Sequence, residues 1–180
     1  PVLVYNYGPV TPPEGLDPDR WARACYIHPL YGLDGEELTQ DFPEDHYHHR
    51  GIFWAWPWTR AGERRMDLWL HEDCEARFEK WLKREAGDDQ AEVEVQNVWV
   101  FKDDPKPVVR ETVRFVVRPA DDTGRAIDFH LTFENVSDEP VHFLGAEGKG
   151  YGGFCVRPNA TRRDFRITTT SSAARPFELG

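Results

Sequence analysis

A chain of 180 residues with 39% hydrophobic, 13% aromatic and 30% charged residues can bury one substantial core and has the composition of a soluble globular protein rather than a membrane or disordered one. The formal net charge of -10 excludes broad phosphate-backbone contact, which depends on clustered Lys and Arg, so nucleic acid is not an expected partner. No apolar run approaches the roughly 20 residues of a membrane span, so no membrane partner is expected, and nothing resembles a signal-peptide core.

Those bounds favour a single domain over residues 1–180. The first residue is Pro1 rather than methionine, consistent with a processed or trimmed start. Residues 1–20 open with a short apolar run and become rich in Pro, Gly and Asp, which reads as an edge strand followed by a long turn. From Trp21 onward short apolar runs alternate with turn clusters such as GLDGEE, FPED, AGDDQ and NVSDEP, the spacing of an antiparallel β-sandwich. Cys25, Cys74 and Cys155 are sparse and odd in number, which argues against a disulfide framework. They fit small buried hydrophobes in a reducing, cytoplasmic setting.

The densest stretch is Glu44 to Trp58, EDHYHHRGIFWAWPW. On an extended backbone His46 and His48 share a face with Arg50, and Trp54, Trp56 and Trp58 continue that face beyond Gly51. Packing gives no reason to gather so many titratable groups, so a wet, Trp-lined groove is expected, with His49 beside it. Neutral imidazole donates and accepts near pH 7, Arg50 can hold a carboxylate or hydroxyls, and flat indoles stack on sugar rings. The alternative is a divalent metal on His46 and His48, completed by His28 or His71.

Farther along, CEARFEKWLKREAG has Phe78, Trp81 and Leu82 at helical spacing, so periodicity predicts a helix. AEVEVQNVWVF alternates through Val95, slips at Gln96 and Asn97 and resumes, the signature of a bulge. In VVRETVRFVV the residues Val109, Val113, Phe115 and Val117 form one face, and Glu111 lies on it. A carboxylate there is costly unless paired, with Arg157 or Lys149 as expected partner, or directed into a wet cavity. IDFHLTFE predicts a strand with Ile127, Phe129, Leu131 and Phe133 inward. The glycine-rich GAEGKGYGGFCVR brings backbone close to a neighbour or ligand and carries Glu147, Lys149, Tyr151 and Arg157.

Together HPLYGLDGEELTQDFPEDHYHHRGIFWAW, MDLWLHE, VVRETVRF and GKGYGGFCVR resemble the methane oxygenase PmoA-like family, over about Trp21 to Arg157. The resemblance implies a galactose-mutarotase-like β-supersandwich that binds carbohydrate on a concave sheet face. It implies that CEARFEKWLKREAG is a strand pair with the AGDDQ turn following, which overrules the helix that periodicity predicts, because helix propensity is a weak guide. It also implies further strands after residue 180, because an NPRHP-like segment typical of the family has no counterpart here. The expected function is acid–base chemistry of mutarotase, epimerase or lyase type on a sugar or sugar acid, without a committed cofactor. His46, His48, Glu111 and Glu147 are the candidate catalytic groups. The candidate ligand contacts are His28, His49, Arg50, Trp54, Trp56, Lys149, Tyr151 and Arg157. A metal-dependent enzyme and a noncatalytic carbohydrate-binding module are the alternatives.

Overall fold

Turn chemistry and alternation divide the chain into short strands at the N-terminal end and long ones in the middle. The computed structural model describes residues 1–159 and 161; the remainder of the span expected for the domain lies outside the described residues. In chain order the elements are β1 (Leu3–Asn6), a one-turn helix α1 (Pro18–Trp21), β2 (Tyr26–Leu30), β3 (Ile52–Ala55), β4 (Thr59–Ala61) and β5 (Arg64–Met66). The long strands β6 (Cys74–Ala86), β7 (Ala91–Phe101), β8 (Asp104–Ala120) and β9 (Arg125–Asn135) follow, then β10 (Val141–His142) and β11 (Gly153–Val156).

The strands form two four-stranded sheets, ordered β1-β2-β3-β11 and β6-β7-β8-β9, and a small sheet ordered β10-β4-β5. Every strand pairing is antiparallel. The architecture is therefore an all-β antiparallel sandwich, with β1 at a sheet edge as its position before a Pro-rich turn predicts. Ile27, Ile52 and Trp54 of the first sheet meet Val95, Val113 and Phe115 of the second. A contiguous cluster joins Tyr26, Phe53, Met66 and Leu68 to Trp99 and Val109. Full burial of each such side chain contributes about 1.5–3 kcal/mol, which makes this seam the main source of stability.

The alternation in β9 is as predicted: Ile127, Phe129, Leu131 and Phe133 pack against the core while Asp128, His130, Thr132 and Glu134 are exposed. CEARFEKWLKREA is a strand, as the family resemblance implies and against its helical spacing, and its pairing with β7 shifts register between Phe78 and Lys80 and again between Trp81 and Lys83. Each shift adds a residue to one edge. Phe78 and Trp81 therefore oppose Asn97 and Val95, two residues of one β7 face, although they stand three apart. Bulges in a strand thus mimic helical spacing.

The same register places the irregularity in β6 rather than β7, which pairs without interruption from Ala91 to Trp99 with β8. The apparent slip at Asn97 is instead a polar residue in an inward position. Asn97 is fully buried opposite Glu111, and its Nδ2 donates to Glu111 Oε1 at 2.7 Å and to the Tyr5 hydroxyl at 2.8 Å. Trp99 Nε1 donates to Glu111 Oε2 at 2.7 Å, and Trp54 supplies a further side-chain hydrogen bond. Glu111 is thus paired in the interior by amide and indole donors, not by Arg157 or Lys149. Burial raises its carboxyl pKa and these donors oppose the rise.

Gly51 sets the entry to β3. It has φ +37°, and a Cβ there would lie 2.1 Å from the Ile27 carbonyl oxygen, so only glycine lets β3 start against β2. The Gly51 carbonyl then accepts from the Arg157 backbone N–H at 2.7 Å, which fixes Arg157 beside the histidine stretch.

Candidate functional site

Three non-strand segments and the β3–β11 pair enclose a cavity of about 720 Å³. The first segment is the histidine stretch, which forms turns rather than a strand. His46 N donates to Pro43 O and His49 N donates to His46 O, each at 2.9 Å. That geometry brings together residues three apart: the His46 and His49 rings stack with centroids 4.8 Å apart and planes 6° apart. His48 meets His49 edge-on at 4.5 Å. His46 and His48 do come together as expected, with ring centroids 5.5 Å apart on the same cavity, but through turns rather than an extended strand, and Arg50 does not join them there.

The second segment, 67–71, is held by Asp67, whose Oδ1 accepts from Trp69 N at 2.8 Å and Leu70 N at 2.9 Å. An aspartate bonding backbone two and three residues ahead closes a local turn, here presenting Trp69 and Leu70 to the cavity. Asp67 Oδ2 accepts from Arg65 Nη2 at 2.6 Å, and the Arg65 guanidinium lies 4.3 Å from the Trp58 ring centroid. Burial raises the Asp67 carboxyl pKa, opposed by those hydrogen bonds and Arg65.

The third segment is the glycine-rich turn. Gly150 N donates to Ala146 O at 2.7 Å, Ala146 N donates to Tyr151 O at 3.0 Å, and Gly148 and Gly150 both have φ +71°. The turn carries Lys149 and Tyr151 to the cavity rim, where the Tyr151 ring lies 5.2 Å from that of Trp69. Phe53 and Cys155, which pair across β3 and β11, line the cavity from the sheet. Burial pushes the Cys155 thiol up to about 11, so it is held as the neutral thiol.

Electrostatics at the mouth are set by Asp45 and Arg157. Arg157 Nη2 donates to both Asp45 oxygens, at 2.8 and 2.9 Å, and Arg157 Nη1 stands 3.3 Å from His49 Nδ1. A guanidinium only donates, so the hydrogen-bond network assigns His49 Nδ1 as acceptor and its proton to Nε2. Asp45 Oδ2 lies 2.9 Å from His46 Nδ1, which assigns that nitrogen as donor, so that in the neutral ring the lone pair is on Nε2. The two stacked imidazoles are therefore of opposite tautomer. The His46 hydrogen bond, then Arg157, lowers the Asp45 pKa to about 2. Burial, reinforced by neighbouring positive charge, lowers His49 to about 4 and His48 to about 3, so both are neutral at pH 7.

Of the site residues singled out in the sequence, His46, His48, His49, Trp58, Lys149, Tyr151 and Arg157 line this one cavity. The others lie elsewhere. Glu111 is in the sandwich interior, and Glu147 is exposed on the glycine-rich turn but does not line the cavity. Trp54 stacks on Phe154 and faces the second sheet, while Trp56 packs against Trp99 and Phe133. The groove is thus lined from the Phe53 face of β3, and the Trp54 face is packed interior. Arg50 is buried under the Phe42 ring, donating to Asp41 at 3.2 Å and to the Trp21 carbonyl. His28 lies 3.0 Å from the Thr39 hydroxyl and 3.2 Å from Glu37. His71 is buried beside a second cavity. Among the described residues no group of three or more His, Cys, Asp or Glu side chains is arranged to hold a metal ion, and the four-histidine alternative is not brought together.

Asp45, Arg65, Asp67 and Trp69 were not among the expected site residues. Asp67 carried a usable signal, an acidic residue opening the short DLWL turn, and Asp45 stands directly before His46. Among the described residues no helix is long and apolar enough to cross a membrane. The model of DUF6807, a family of unknown function, matches residues 1–176, and the chain belongs to that family. No curated protein and no solved structure matches it.

Proposed function

With membership in a family of unknown function as the premise, we propose that the protein binds a sugar or sugar acid in the His/Trp/Tyr-lined cavity and performs acid–base chemistry on it. The galactose-mutarotase-like reading of the sequence motifs and the all-β sandwich both support this assignment. The observation that carries it is the pair of stacked imidazoles of opposite tautomer at the mouth of a cavity of about 720 Å³, a volume within the range of small-ligand sites.

In a ring-opening step His46 Nε2 removes the proton of the anomeric hydroxyl, and Asp45 stabilises the imidazolium that forms. The bond between the anomeric carbon and the ring oxygen breaks as the carbonyl forms. His49 Nε2–H donates a hydrogen bond to the ring oxygen while charge builds there. The ammonium of Lys149, on the rim, supplies the proton that completes the open-chain hydroxyl, and reclosure reverses these transfers. Trp58, Trp69 and Tyr151 supply flat apolar surface for the sugar face, and Arg65 supplies positive charge for a sugar carboxylate. Epimerisation or elimination would use the same base on a different proton.

The test is a panel of aldoses and uronic acids, scored for thermal protection and for exchange between anomers by NMR. Protection by at least one sugar with faster exchange is expected, and His46→Gln should abolish the acceleration while keeping the protection. If no sugar does either, the assignment fails. Protection without any acceleration would make the protein a noncatalytic sugar-binding module.

A further inference from the structure

A second cavity, of about 770 Å³, opens between the N-terminal segment, residues 7–9 and 18–24, and the start of β6. Arg23 lines it, only 7% exposed, and among the described residues its guanidinium has no hydrogen-bond partner. Among the described residues its ring contact is with Phe53, whose centroid lies 4.7 Å from the guanidinium carbon. Leaving such a charge out of water costs several kcal/mol, on the order of the stability of a domain, unless something compensates it. The neighbouring charge does the reverse, since Arg50 repels Arg23. His71 also lines the cavity; it is 6% exposed, has φ +57°, and its Nε2 has no partner.

The remaining charges are divided unevenly. Lys102 donates to the Asp19 carbonyl at 2.8 Å, which leaves its charge uncompensated by that contact. Two acidic residues, Asp19 and Glu75, are in the lining; Glu75 is bound to Arg77, with Nε to Oε1 at 2.7 Å, and among the described residues neither carboxylate is hydrogen-bonded to Arg23. Phe78 and Ala76 give the cavity apolar wall beside these cations. Glu111 acts on Arg23 only through space, so among the described residues this guanidinium, which repels Arg50 and lines a roomy cavity, has no hydrogen-bonded anion and is an anchor missing its partner.

We propose that this second cavity binds a small organic oxyanion, with its carboxylate or phosphate on the Arg23 guanidinium and its apolar body against Phe78 and Ala76. Lys102 adds long-range attraction. Lodging the anion there supplies the charge that the fold leaves unpaired, and the site is separate from the imidazole pair of the first cavity.

Calorimetric titration with benzoate, phenyl phosphate and neutral benzyl alcohol tests this. At least one anion should bind saturably while benzyl alcohol does not, and the preferred anion identifies the oxyanion class. Arg23→Gln should weaken that binding by about 10- to 100-fold, the range for losing a charge-assisted hydrogen bond. Arg157→Gln, in the first cavity, should leave it unchanged. Arg23→Lys keeps the charge and should bind better than Arg23→Gln. In anion-free buffer Arg23→Gln should melt no lower than the parent, since it removes an unpaired buried charge. Absence of saturable binding, binding that survives Arg23→Gln, or loss with Arg157→Gln alone would overturn the proposal. An Arg23→Gln protein that melts far below the parent would mean that Arg23 is structural, and would also overturn it. None of these outcomes depends on sugar chemistry in the first cavity.

Discussion

Glu111, Asn97 and Trp99 in the sandwich interior and Asp45, His46, His49 and Arg157 at the first cavity are both charged networks set among aromatic rings. They differ in what is left over. Both Glu111 oxygens accept from side chains fixed on strands, and no lone pair is directed to a ligand space. At the cavity, Asp45 and Arg157 satisfy only the Nδ1 atoms of the two imidazoles and leave an acceptor and a donor on their Nε2 atoms. A carboxylate on an apolar face is therefore architecture when neighbouring strands complete its hydrogen bonds. Titratable groups in consecutive turns keep atoms available to a ligand when the network stops one atom short.

Substitutions should separate the two networks. His46→Gln should lower the anomeric exchange rate by about 10²- to 10⁴-fold, the range for a general base, with the urea midpoint unchanged. Equal loss of stability would make His46 part of the framework. Glu111→Leu should do the opposite: it strands the Asn97 and Trp99 donors and should cost about 3 kcal/mol or more in urea unfolding, while the residual folded protein binds sugar normally. A neutral effect on stability would contradict the interior assignment. Asp45→Asn keeps the shape of its side chain but removes the charge that stabilises the His46 imidazolium, so about a tenfold loss in kcat at constant KM is expected. A change in KM alone would assign Asp45 to binding.

A further effect concerns pH. His48 and His49 take up protons in the fold only near 3 and 4, against about 6.5 for free imidazole. The unfolded chain therefore binds protons first as pH falls. The contribution of these groups is full above about pH 6.5 and is lost as pH drops through 4 toward 3. Urea midpoints measured between pH 7 and pH 4 should fall, and His48→Asn should flatten the decline. A midpoint independent of pH in that window would show that the imidazoles are not held neutral.

Much of the sandwich was legible because period-two alternation needs only local sequence, as in β8 and β9. What was not legible depended on nonlocal pairing. The two register shifts in β6 place Phe78 and Trp81 on one face and counterfeit a helix. Asn97 reads as a defect until Glu111 is seen directly opposite. At the first cavity the three histidines of that stretch do lie together, but an extended backbone does not foresee the stacking of His46 on His49 or the burial of Arg50 away from them. The turn after Pro43 pairs His46 with His49, and the registered β11 brings Arg157 to Asp45 from more than a hundred residues away. Trp54 and Trp56 look the same as groove aromatics in sequence, and only the second sheet behind them decides that they are core.

The central claim is the opposite tautomers of the stacked imidazoles, and long-range ¹H–¹⁵N NMR of the histidine rings at pH 7 measures it directly. The account predicts a neutral His49 protonated on Nε2 and a His46 that carries its proton on Nδ1, with both signals shifting on addition of the protecting sugar. The same tautomer on both rings, or a His49 imidazolium at that pH, would contradict it.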